Sequence, residues 1–265
     1  SPKWIKERLE KSDIKSKNLI VDITNYILLE QGQPLHAFDL DKLSQLIGRD
    51  VLPEDFGVRK AKNGEFLTAL DGIKYELNEN ISIVVCSDKP VAIAGVIGGL
   101  ETAVTEQTSS IILEGAVFNP SIIRKSSREV GIRTESSSRF EKGISFRNTL
   151  NSLSRAFYLL NQYFKESKPT IYSSKTINKE KKSIRLRRER IYKILGPIVF
   201  NSNNELGKIQ VIKRNLNDRE ITDKLKLIGC ELHSQSYGWD VEVISNRSSD
   251  LIREIDLIEE IARLI

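Results

Sequence analysis

The chain has 265 residues, with 41 Lys and Arg against 36 Asp and Glu for a net charge of +5, and 39% of its residues are hydrophobic. That is the composition of a globular protein long enough to bury real cores, and two domains are expected. No apolar run approaches the ~20 residues that span a bilayer, and the start is neither a signal nor a transit peptide, so no membrane-spanning helix is predicted. Two isolated thiols, Cys86 and Cys230, fit a reducing cytoplasm, which is the location expected.

Cys86 and Cys230 are the only cysteines. They lie far apart and outside any CxxC spacing, which argues against zinc and against a disulfide framework. Methionine is absent. The chain opens on Ser1-Pro2 and stops at Ile265 inside a predicted helix, so a fragment of a longer protein is expected.

Ser1 can cap a first helix with Pro2 at its first position, and Trp4, Ile5 and Leu9 mark its apolar face. In Leu19–Leu29 the residues Ile20, Ile23, Ile27 and Leu28 have helical spacing, while the β-branched content keeps a strand open. Gln31-Gly32 ends the segment. Gly32-Gln33-Pro34-Leu35-His36-Ala37-Phe38-Asp39 follows, with the first of only two histidines. Pro34 fixes its own φ and pushes Gln33 towards extended geometry, which predicts a stiff loop around His36. Such an imidazole is either packed or held for a substrate.

From Gly57 to Cys86, short strands at Val58–Ala61, Phe66–Leu70, Ile73–Leu77 and Ile81–Cys86 alternate with turn signals at Asn63-Gly64, Asp71-Gly72 and Asn78–Asn80. The apolar run Val91–Val96 leads into Ile97-Gly98-Gly99, which marks either close approach to its backbone or a tight turn. Ser109–Val117 reads as a buried strand in which Glu114 is anomalous. Such a carboxylate is either neutralised inside or turned to solvent at the strand end. Asn119-Pro120 opens a helix to Val130 closed by Gly131. Arg133–Gly143 is too polar for core and reads as an ordered loop or connection. A long amphipathic helix is predicted over Thr149–Phe164.

Lys168–Lys182 is a polar, lysine-rich link, which divides the chain into domains 1–175 and 176–265. The second is predicted to contain strand Ser183–Leu186, helix Glu189–Leu195, a polar excursion over Asn201–Leu216, and helix Asp218–Ile228. A hairpin of Leu232–Ser234 with Trp239–Ile244 and a helix from Asp250 to the end complete it. The order helix, helix, hairpin is that of a winged-helix-like module. The fold class expected is therefore α+β, a mixed-sheet domain followed by a small winged-helix-like one.

Three clusters could carry chemistry. His36, the Ala94–Gly99 backbone and Glu114 could converge on a small pocket; no phosphate-binding glycine motif and no nucleophile elbow accompanies them. Asp256, Glu259 and Glu260 fall at i, i+3 and i+4, with Asp250 upstream, which suits either a hard cation such as Mg²⁺ or a solvated face balanced by Arg253 and Arg263. Lys179, Lys181, Lys182, Arg185, Arg187, Arg188, Arg190 and Lys193 suit either a phosphate backbone or a solvated linker.

Together these segments resemble the β-subunit family of bacterial phenylalanyl-tRNA synthetases. The resemblance is carried by Asp22-Ile23-Thr24-Asn25-Tyr26, Gly32–Leu40, Ala94–Gly99, Leu113-Glu114, Gly131–Gly143, Trp239-Asp240-Val241 and Asp250–Arg263, in the family's order. It implies a tRNA-editing domain followed by a small domain, within an α2β2 heterotetramer whose α subunit carries the ATP-dependent aminoacylation site. The editing domain of this family hydrolyses tyrosine wrongly esterified to phenylalanine tRNA.

By that resemblance His36, Glu114 and Thr134 serve catalysis and recognition. Glu114 accepts the phenol's hydrogen bond, and His36 positions or activates the water. Thr24, Asn25, Pro34, Ala94, Gly95, Gly98 and Ser136 bind substrate; the family usually has alanine at Ser136. Asp250, Asp256, Glu259 and Glu260 are assigned to Mg²⁺ shared with the α subunit. A scaffold that binds tRNA or the α subunit and has lost editing is the alternative, motivated by Ser136.

Overall fold

The protein is described here by a computed structural model covering residues 1–164, 170–173, 183–203, 209–243, 247 and 250–265. The chain divides into two compact units, Ser1–Ser174 and Lys175–Ile265. Most of the Lys168–Lys182 link lies outside the described residues. Among the described residues, no helix is long and apolar enough to cross a membrane.

Unit 1 begins with helices α1 (Lys3–Glu10) and α2 (Leu19–Gln31). The helical alternative for the second segment is the one adopted. The Asn18 side chain accepts from the Val21 amide at 3.0 Å and caps α2. Ile23, Tyr26 and Ile27 then pack with Ile5 and Leu9 of α1 and with Ala156, Leu159 and Leu160 of α6 (Phe146–Asn161). Burial against two other helices outweighs the modest β preference of the isoleucines.

Residues 35–39 form strand β1 (Leu35–Asp39), so His36 stands on a strand and not in a loop. Helix α3 (Leu40–Ile47) follows, capped by the Asp39 side chain. Strands β2 (Phe56–Lys60), β3 (Glu65–Thr68), β4 (Lys74–Leu77) and β5 (Ser82–Cys86) fall where the turn residues place them. The glycine-containing run splits into β6 (Lys89–Ile93) and β7 (Ile97–Gly98) around a tight turn. Strand β8 (Ile111–Gly115), helix α4 (Pro120–Val130) and α6 complete the expected elements. One element was read as a polar connection: Glu135–Phe140 is helix α5. Thr134 caps it by accepting from the Ser137 amide, and Ser137 and Phe140 are buried beneath it.

The α+β class holds, and every described ladder is antiparallel: β2-β5-β6-β7, β3-β4 and β1-β8 in unit 1. Alternation along β1 and β8 decides the orientation of the site. Leu35, Ile111 and Leu113 pack into the helical core. Phe38 and Ile112 join the opposite core, with Val84, Val91 and Ala92 of the larger sheet. His36 and Glu114 share that second face.

Unit 2 contains β9 (Ser183–Arg187), α7 (Arg188–Leu195), β10 (Ile198–Asn203), β11 (Ile209–Arg214), α8 (Asp218–Leu227), β12 (Cys230–Gln235), β13 (Gly238–Val243) and α9 (Glu254–Arg263). Strands order as β12-β13-β9 around a core that includes Leu186, Ile191, Trp239, Val241 and Leu257. The expected excursion over Asn201–Leu216 is mostly hairpin β10–β11, whose residues 204–208 lie outside the described ones, as does Ile244. Cys86 and Cys230 are buried free thiols.

Candidate active site

The β1–β8 ladder pairs His36 directly with Glu114. Both line a narrow cavity of about 60 Å³, together with Pro34, Ala92, Gly95, Val96, Gly98, Phe118, Ser136 and Phe140. A strand pair thus sets a potential base or water ligand beside a carboxyl group, on the one face that meets the larger sheet.

Neither group is satisfied by the protein. His36 Nε2 is enclosed without a hydrogen-bond partner, and desolvation brings the imidazole down to about 4, so the ring is neutral at physiological pH. Glu114 accepts no hydrogen bond from the described residues, and desolvation alone pushes its carboxyl up to about 7. Part of each side chain faces the cavity, yet the surrounding protein strips both titrating groups of bulk water. Unpaired, desolvated titratable groups in a cleft mark a site where a ligand completes the hydrogen bonding.

Two glycines make the cavity. A Cβ at Gly98 would fall 2.3 Å from His36 Cε1 and 2.6 Å from Nε2, so only glycine lets the imidazole lie over this strand. Gly95 adopts φ +66°, and a Cβ there would come within 3.0 Å of the Phe118 ring and 2.9 Å of the Phe140 ring. These rings meet edge to face with centroids 4.9 Å apart and form an apolar wall opposite the polar pair.

Other residues expected at the site stand behind it. Thr134 does not line the cavity. Its hydroxyl donates to the Val96 carbonyl at 2.8 Å while capping α5, and so ties the Ser136 helix to the β6–β7 turn. Ala94 is fully buried in the core beside Gly95. Thr24 and Asn25 lie on α2, outside the lining; the Thr24 hydroxyl donates to the Val21 carbonyl at 2.8 Å. Pro34, Gly95, Gly98 and Ser136 are brought together with His36 and Glu114.

This arrangement can be set against known proteins. Residues 1–165 match the family model of the B3/4 domain. The chain belongs to the B3/4 domain family. Residues 184–265 match the tRNA synthetase B5 domain. Over all 265 residues the chain is 68% identical to the phenylalanine–tRNA ligase beta subunit of Prochlorococcus marinus subsp. pastoris (strain CCMP1986 / NIES-2087 / MED4) and 68% identical to that of Prochlorococcus marinus (strain MIT 9312). It is 43% identical to the beta subunit of Synechococcus sp. (strain CC9605). It spans 32% of the length of each.

Within the B3/4 unit, sequence reasoning passed over three residues that build the site. Phe118 and Phe140 supply the wall, and their only local signal is an aromatic beside a polar stretch. Gln33 is fully buried: its Nε2 donates to the carbonyls of Pro34 at 3.0 Å and Ala116 at 3.2 Å, and its Oε1 accepts from the Thr149 hydroxyl at 2.8 Å. It staples the start of β1 to the end of β8 and to α6. A buried glutamine whose decisive partners, Ala116 and Thr149, come from distant segments leaves no local mark.

In the B5 unit, the four carboxylates expected to hold Mg²⁺ do not converge. Asp256 is buried and bound by the Arg253 guanidinium at 2.7 Å and by the backbone amides of Ile252 and Arg253. Arg253 and these amides hold its carboxyl down at about 2. Glu260 is buried and accepts from Arg247 and Arg263, Asp250 also pairs with Arg247, and Glu259 is exposed. Among the described residues, the one group of three or more ligand atoms close enough for a cation is Glu231, His233 and Glu242, the first two exposed and the third half-buried. The four carboxylates Asp250, Asp256, Glu259 and Glu260 therefore do not fit a Mg²⁺ site as they stand, since arginines already neutralise three of them.

The arginines of the basic crowding are likewise engaged within the unit. Arg187 and Arg190 pair with Glu254, Arg188 pairs with Asp218, and Arg185 lies 4.1 Å over the Tyr237 ring. Lys179, Lys181 and Lys182 lie outside the described residues.

Proposed function

We propose that the B3/4 unit is an editing hydrolase that removes tyrosine from mischarged phenylalanine tRNA, as part of a phenylalanine–tRNA ligase beta subunit. The observation that carries the reading is the cross-strand pair of His36 and Glu114, both desolvated and both without a protein partner, in one cavity walled by Phe118 and Phe140. The identity to phenylalanine–tRNA ligase beta subunits supports it.

The chemistry follows from the two environments. An aromatic ring fits against the phenylalanines, and a phenol at its far end donates to Glu114. A phenylalanyl ester leaves that carboxyl desolvated and unpaired, and a site built around a hydroxyl rejects an analogue lacking it far better than an apolar pocket rejects an added hydroxyl. His36, neutral down to about pH 4, accepts a hydrogen bond from water and orients it towards the ester carbonyl. As pH rises through about 7, Glu114 ionises and becomes the stronger acceptor for the phenol, so preference for tyrosine rises with pH there.

In this reading the chain works in the cytoplasm inside an α2β2 assembly. Its α-subunit partner carries ATP-dependent aminoacylation, with phenylalanine tRNA as the shared substrate. Any Mg²⁺ at the B5 unit would require Arg247, Arg253 and Arg263 to release their carboxylates. The test is deacylation of tyrosyl- and phenylalanyl-tRNA by the complete α and β subunits. Glu114→Ala is expected to narrow the tyrosine preference by about 10- to 100-fold, the equivalent of one hydrogen bond to a charged group. An unchanged preference refutes the role of Glu114. Wild-type protein that leaves tyrosyl-tRNA intact supports the scaffold alternative instead.

A further inference from the structure

Beside the His36 cavity, on the face of Gly98 over which the imidazole lies, is an apolar surface that the core does not use. Ala69 and Gly99 form an antiparallel bridge, the Leu70 amide donates to the Gly98 carbonyl at 3.0 Å, and the Leu100 amide donates to the Thr68 carbonyl at 2.9 Å. Alternation about that bridge puts Leu70, Gly98 and Leu100 on one face. It is the face over which the imidazole lies. A Cβ on Gly98 would meet His36 at 2.3 Å and Leu70 Cδ1 at 3.1 Å, so the leucine methyl and the His36 ring converge above the same Cα.

Leu70 and Leu100 are 40% and 45% exposed, and neither packs into a core of the unit. Single exposed leucines need no explanation, but Leu70 stands over the same glycine as His36 and Leu100 shares its face, so the two offer an apolar surface next to the cavity. Their positions are also held. The turn after Leu70 is closed by the Gly72 amide on the Ala69 carbonyl at 2.8 Å. Asp71 accepts from the Ile73 amide at 2.9 Å and from the Tyr75 hydroxyl at 2.7 Å.

We infer that Leu70 and Leu100 form the platform for the terminal nucleoside of the ester substrate, with Leu70 as the main contact. The inference rests on the editing reading above. If the amino-acid ring lies between the phenylalanines and Glu114, the ester sits beside His36, and its alcohol half leaves across Gly98. The group there is a ribose carrying a flat purine, and the apolar face of a base fits a leucine shelf. Leu70 is then a positioning residue: it aligns the acyl bond with the water at His36 through contacts remote from that bond.

The test uses the full-length protein that carries this chain and two unreactive ligands, 3′-tyrosylamido-3′-deoxyadenosine and tyrosinamide, titrated calorimetrically. Wild type is expected to bind the nucleoside-bearing ligand more tightly. Leu70→Ala is expected to weaken that ligand by about 5- to 10-fold, as for loss of most of one apolar contact, and to leave tyrosinamide unchanged. Leu70→Met, which keeps the apolar volume, is expected to restore the difference. Equal weakening of both ligands, or no weakening of either, overturns the platform and assigns Leu70 to packing around His36. Failure of wild type to bind tyrosinamide, or binding indifferent to Glu114→Ala, overturns the editing reading itself and the platform with it.

Discussion

Replacing Glu114 by glutamine removes one ionisable group while keeping the shape of the side chain, which isolates the desolvation that defines the site. In the folded protein the carboxyl titrates at about 7, against 4.5 for the group in water. Below pH 4.5 it is protonated in both folded and unfolded chains and does not affect the balance. Between 4.5 and 7 the unfolded chain sheds its proton while the folded one holds it, so folding loses stability as pH rises and the loss levels off above 7. From pH 5 to pH 8 this amounts to about 2.5 kcal/mol. His36, depressed to about 4, is neutral in the folded protein throughout that range; its own effect is a loss of stability as pH falls from 6.5 towards 4, common to wild type and variant. Urea unfolding of both proteins at pH 5, 6, 7 and 8 gives the difference directly. The wild type should fall below Glu114→Gln by about 2.5 kcal/mol more at pH 8 than at pH 5. Parallel curves would mean that Glu114 is solvated, and the basis of the proposed selectivity would go with them.

Gly98→Ala places a methyl group within 2.6 Å of two imidazole atoms on a backbone that accepts alanine, so the ring must move. A displacement of about 1 Å at a water-orienting group is expected to slow tyrosyl-tRNA hydrolysis about 100-fold with the fold retained by circular dichroism; a rate within twofold of wild type would contradict the placement of His36. Gln33→Leu removes three buried hydrogen bonds, to the carbonyls of Pro34 and Ala116 and from the Thr149 hydroxyl. It is expected to destabilise unit 1 by about 2 kcal/mol in urea unfolding, and a loss under 0.5 kcal/mol would show that the staple is not used.

How far the fold was legible depends on where each signal resides. Strands β2–β5, with the β3–β4 hairpin among them, and helix α4 were readable because Asn-Gly, Asp-Gly and Asn-Pro act within a few residues of themselves. Helix α5 also carried a local signal, Thr134 with Ser137, obscured by its polarity. The strand character of β1 was not readable, because Pro34 suggests a stiff loop and only pairing with β8 makes it a strand.

The sequence by itself determined the parts list: a lone histidine after Gln-Pro, a carboxylate inside an apolar strand, glycines at a strand end, and an acidic terminal helix. Its motifs also point to the family. Only the tertiary structure decided which of these meet. Register across β1 and β8 puts His36 opposite Glu114, and alternation turns both away from the helical core. Asp250, Asp256, Glu259 and Glu260 lie close together in the sequence, yet arginines from the same unit claim three of them. In each case the deciding quantity is desolvation or a partner supplied by a distant segment, and a linear pattern carries neither.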